Sequence, residues 1–134
     1  MTQFLLVSSA EPYPEFPELA FSRPHKGSFQ AGAAEALFPD RCTPAWSVAP
    51  PGSEAGDLVY EARDAILAGR PTELTALGRL LQHVMDRGDG FALFYAADYA
   101  RLPQAKTSQA LLGLIGDQLR PADGANLELY ARWP

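Results

Sequence analysis

Seven consecutive apolar residues, Phe91 to Ala97 (FALFYAA), follow the turn-forming Gly88-Asp89-Gly90. A strand with one wet face alternates apolar and polar side chains, so an unbroken run of this length predicts a strand covered on both faces. It reads as the central strand of a sheet. Gln3 to Val7 is a second short apolar run, interrupted by Ser8 and Ser9, and predicts another buried strand. Near the C-terminus Leu127, Leu129, Ala131 and Trp133 alternate with Asn126, Glu128, Tyr130 and Arg132, the two-residue period of an edge or one-sided strand. Trp46 to Val48 adds a brief strand set apart by Pro44, Pro50 and Pro51.

The remaining apolar residues have helical spacing. Leu58, Val59, Ala62, Ala65 and Ile66 recur at three- and four-residue steps after the candidate cap Ser53, with Glu54 and Asp57 in the first turn and Gly69 at the end. Thr72 is the candidate cap of a second helix whose stripe is Leu74, Leu77, Leu80, Leu81, Val84 and Met85, stopped by Gly88. Gly69-Arg70-Pro71 is too short a link for anything but a helical hairpin over about 53–87. Ser28 to Leu37 predicts a short helix ending before Pro39. Thr107 or Ser108 caps another, carrying Ala110, Leu111, Leu114, Ile115 and Leu119, in which Gly113 and Gly116 suggest close approach to a neighbour.

Ala (22) and Leu (18) far outnumber Val and Ile (6 together), which favours helices over an all-β fold. The expected class is α+β: a small mixed sheet of about three or four strands packed on about three or four helices, as one globular domain over residues 1–134. A chain of this size can build a core without disulfides or a structural metal.

Charge excludes several function classes. Sixteen acidic against eleven basic side chains give −5, which opposes binding to nucleic-acid phosphates or to an anionic membrane. The N-terminus has no cationic region, and its apolar run, Phe4 to Val7, is too short for a signal-peptide core. A reducing, cytoplasmic setting is expected, in keeping with a single cysteine. Cys42 lies in DRCTPAW, matches no nucleophile motif and reads as a small buried side chain. His83 falls beside the apolar stripe of its helix, which predicts a surface position, and His25 sits in the polar loop SRPHKG. Two histidines 58 residues apart and one cysteine give no metal-ligand spacing, and no phosphate-binding loop is present. No catalytic residue, metal or cofactor is implied.

Two constellations remain. Asp98, Tyr99 and Arg101 follow the long apolar run, where α/β proteins often gather ligands at strand ends. They are candidates for a small-molecule or enzymatic site; the plainer reading is that Asp98 starts a turn or pairs with Arg101. The segment Glu11 to Glu18 (EPYPEFPE) holds three prolines that exclude helix and central strand, so polyproline-like or turn geometry is expected. Its Glu11, Glu15 and Glu18 could steer a basic partner that Tyr13 and Phe16 anchor. The alternative is that both aromatics tuck into their own domain. A compact acidic chain free of catalytic motifs is similar in general character to bacterial immunity proteins that neutralise toxins. The leading expectation is therefore a binding or inhibitory protein whose partner is a basic protein such as a toxin domain. A small enzyme at Asp98 comes second, and a structural or adaptor subunit third. A homo-oligomer joined at the terminal strand, with Tyr130 and Trp133 at the interface, belongs to the third reading.

Overall fold

The computed structural model describes residues 3–95, 99, 105, 107, 109, 110, 113 and 131–133. Five strands form one sheet: β1 (Gln3–Ser8), β2 (Ala20–Ser22), β3 (Ala45–Ala49), β4 (Gly90–Tyr95) and β5 (Ala131–Trp133). Their order is β2-β3-β1-β4-β5, and all four described pairings are antiparallel. The α+β class holds. Among the described residues the sheet is antiparallel rather than mixed, for a topological reason: β3 and β4 run in the same direction, but β1 lies between them, so no parallel pair forms there. β1 also takes the middle of the sheet, and the Phe91 run is its interior neighbour rather than the central strand.

Alternation along β1 and β4 divides the interior in two. Leu5, Val7, Phe91 and Leu93 point to one face; Leu6, Ala92 and Phe94 point to the other. Every one of these side chains is buried, as the unbroken apolar run predicts. The first face is covered by α2 (Gly56–Leu67) and α3 (Ala76–Arg87), the expected helical hairpin, through Leu58, Val59, Ala62, Leu77, Leu80, Leu81 and Val84. Burying a leucine such as Leu80 contributes about 1.5–3 kcal/mol relative to leaving it in water. The second face is covered by α1 (Phe29–Leu37), which buries Ala33 and Leu37 beside Phe38, while Phe4, Phe94, Phe29 and Tyr99 form an aromatic cluster.

Side-chain caps set the starts of α1 and α3, and two of the expected caps are displaced. Ser28 caps α1, its hydroxyl accepting from the Ala31 N–H at 3.2 Å. Gly69 and Gly88, both at φ +70°, close α2 and α3 as the sequence suggests. Ser53 does not cap α2. That helix starts three residues later, and the Ser53 hydroxyl donates instead to the Asp57 carboxylate. Thr72 does not cap α3 either, because Thr72–Leu74 is a 3-10 turn and Thr75 is the cap, accepting from the Gly78 N–H at 3.1 Å. Of the later expectations, Thr107 does accept from the Ala110 N–H, at 3.1 Å. Gly113 is exposed with open space around it, so close packing does not explain that glycine. Gly116 and residues 126–130 lie outside the described residues, and only Ala131–Trp133 of the terminal strand is seen, at the sheet edge.

Candidate functional site

The proline-rich segment becomes a strap laid across α3. Its backbone makes two successive turns, with Phe16 N–H donating to the Tyr13 carbonyl at 3.2 Å and Leu19 N–H to the Phe16 carbonyl at 3.1 Å. A three-residue repeat therefore turns Tyr13, Phe16 and Leu19 into the core beneath α3, while Glu15 and Glu18 stay exposed. Tyr13 is 4 % exposed and Phe16 6 %. This corrects the anchor expectation: both aromatics are consumed by their own domain and cannot project into a partner.

Polar contacts fix the strap. The Tyr13 hydroxyl donates to the Asp89 carboxylate at 2.5 Å, and the Arg87 guanidinium lies 3.5 Å from the same oxygen. Burial foremost, then the hydrogen bond to Asp89 and its negative charge, push the Tyr13 phenol well above the ordinary tyrosine range, so it stays a proton donor. Arg79 pairs with Glu18 at 2.9 Å and lies over the Phe16 ring, 5.9 Å from its centroid. The His83 ring stands edge-on to Tyr13 and Phe16, at centroid distances of 4.4 and 5.5 Å. Its Nε2 lies 3.7 Å from Glu15 Oε2 and is buried with no hydrogen-bond partner. The surface position expected for His83 holds only in part: its side chain is 25 % exposed toward the groove, and the strap covers the rest of the helix flank that periodicity alone leaves open.

Strap, 3-10 turn and α3 enclose an open groove of about 420 Å³. Glu15, Glu73 and Asp86 bring exposed carboxylates to it, and Phe16, Gly78 and His83 line its inner side. Arg79 is its one lining arginine among the described residues, already paired with Glu18. Asp86 accepts a hydrogen bond from the Gln82 side-chain amide at 2.8 Å, which fixes that carboxylate along the rim. Sequence order alone could not assemble the set, since Glu15, Glu73 and Asp86 come from three separate elements. The groove can offer a cation negative charge and an aromatic edge.

Of the other expected site residues, Glu11 is exposed on the strap, and its carbonyl accepts from the Ser9 hydroxyl at 2.7 Å. Asp98 and Arg101 lie outside the described residues. Tyr99 packs against Phe29 and Phe94 in the α1-side cluster. Cys42 is exposed, not buried: it sits in the loop between α1 and β3, outside both core clusters. His25 is exposed in its loop, as the sequence suggests. Among the described residues no group of three or more His, Cys, Asp or Glu is placed to hold a metal, and no helix is long and apolar enough to cross a membrane. Compared with protein-family models, curated proteins and solved structures, the chain matches none.

Proposed function

We propose that this chain is a small acidic binding protein that occludes a basic protein partner, in the manner of an immunity or inhibitory protein acting on a toxin domain in a reducing, cytoplasmic setting. The observation that carries the reading is the groove, where Glu15, Glu73 and Asp86 stand exposed around a wall that the strap holds in place. The overall charge of −5 adds long-range attraction for a cationic surface. In this reading the strap's aromatics act indirectly: they hold Glu15 in position, so little ordering entropy is lost when a partner docks. Arginine or lysine side chains of the partner enter the groove, and Glu11 meets further cations at the strap's start.

Paired affinity captures from the native cell at low salt test this, one with the wild-type chain and one with a Glu15→Gln/Glu73→Gln/Asp86→Gln variant. A basic protein retained by the first and lost from the second supports the reading. A partner held equally by both, or one that is acidic, contradicts it.

A further inference from the structure

We propose that His83 and Glu15 form a proton-controlled latch that clamps the strap onto α3 and at the same time sets the charge of the groove. The buried, unpartnered Nε2 of His83 lies 3.7 Å from Glu15 Oε2. A neutral imidazole offers the carboxylate at most one uncharged N–H, whereas an imidazolium carries a donor on both nitrogens and a full positive charge that strengthens the contact. The Glu15 side chain is 53 % exposed, free to turn by the few tenths of an ångström that a hydrogen bond requires. Imidazole is the side chain whose charge ordinarily changes between about pH 5 and 8.

The surrounding charges leave that proton a clear role. The strap brings Glu15, Glu18 and the phenol of Tyr13, which stays protonated; the 3-10 turn brings Glu73, α3 Arg79, Asp86 and Arg87, and the turn before β4 Asp89. Arg79 is engaged with Glu18 and Arg87 with Asp89, so the carboxylates left around the groove are Glu15, Glu73 and Asp86. Taking up a proton at His83 tightens the strap and removes one unit of net negative charge from this wall. Acidification then weakens capture of a cation while firming the fold beneath it. The effect on capture rests on the function proposed above; the latch itself does not.

Hydrogen exchange on the free chain tests the latch without any partner. The reporters are the Phe16 and Leu19 amides, which close the two strap turns. Corrected for intrinsic exchange, their protection is expected to rise about two- to fivefold from about pH 8 to about pH 5.5, the scale of a partly exposed ion pair. Glu15→Gln keeps the imidazole and both ring contacts and is expected to abolish the rise, as is His83→Gln; His25→Gln is expected to retain it. Protection that does not change with pH in the wild type, or a rise that survives in Glu15→Gln, overturns the proposal. Because Glu15→Gln spares the packing, the test stands even where His83→Gln loosens the fold.

Discussion

Besides its buried ring, Tyr13 ties the strap to the rest of the fold through its hydroxyl, which donates to Asp89. Replacing it with phenylalanine keeps the ring but takes the proton donor from Asp89, an expected loss of about 1–3 kcal/mol measurable by urea unfolding. The pH dependence has a definite sign. Because the folded phenol titrates above the unfolded one, its stabilisation is complete below about pH 10 and is lost as the pH climbs from there toward the folded value. Tyr13→Phe is expected to flatten that alkaline decline, and an unchanged decline would place its origin elsewhere. Gly78 is a second residue with a single structural reason: a Cβ there would stand 2.1 Å from the Thr72 carbonyl oxygen, so the 3-10 turn must move aside. Gly78→Ala should destabilise by about 1–3 kcal/mol, despite alanine's better helix propensity. Neither constraint is legible in the sequence, since each depends on residues brought together by the fold.

At the scale of elements, the strap is where sequence reasoning reached furthest and then stopped. Prolines 12, 14 and 17 exclude helix and central strand, which correctly leaves turns or extended chain. The destination of Tyr13 and Phe16 was open, because a Pro-aromatic repeat suits a recognition motif and a core-facing turn equally. Burial decides it. Phe16→Ala is accordingly expected to cost about 3–5 kcal/mol of stability, lowering the thermal midpoint; a stable variant with only a binding defect would restore the anchor reading. The helical hairpin was legible because its stripe persists for several turns, from Leu58 to Ile66 and from Leu77 to Val84. Its starts were not: Ser53 and Thr72 are good caps locally, but Thr75 and the packing of the 3-10 turn on Gly78 set where α3 begins.

Over the whole molecule, the unbroken Phe91 run required cover on both faces, and the helices supply it, α2 and α3 on one side and α1 on the other. Pairing direction was beyond reach, since a strand's pattern records what covers it and not which way its neighbour runs. Charge followed the same rule. Sequence order places Glu11, Glu15 and Glu18 without basic neighbours, yet folding gives Glu18 to Arg79 and Glu15 to the edge of His83. It also joins Glu15 to Glu73 and Asp86, so the acidic surface belongs to three elements rather than one segment. Steering and holding a basic partner is the role proposed for this surface. The most direct measurement is the partner's association rate constant across a salt series, for the wild type and for Glu15→Gln/Glu73→Gln/Asp86→Gln. The predicted result is a wild-type rate that falls steeply as screening shortens to about 8 Å at physiological ionic strength, with a slower and flatter series for the variant. Rates that ignore salt, or that coincide for the two proteins, would contradict the account.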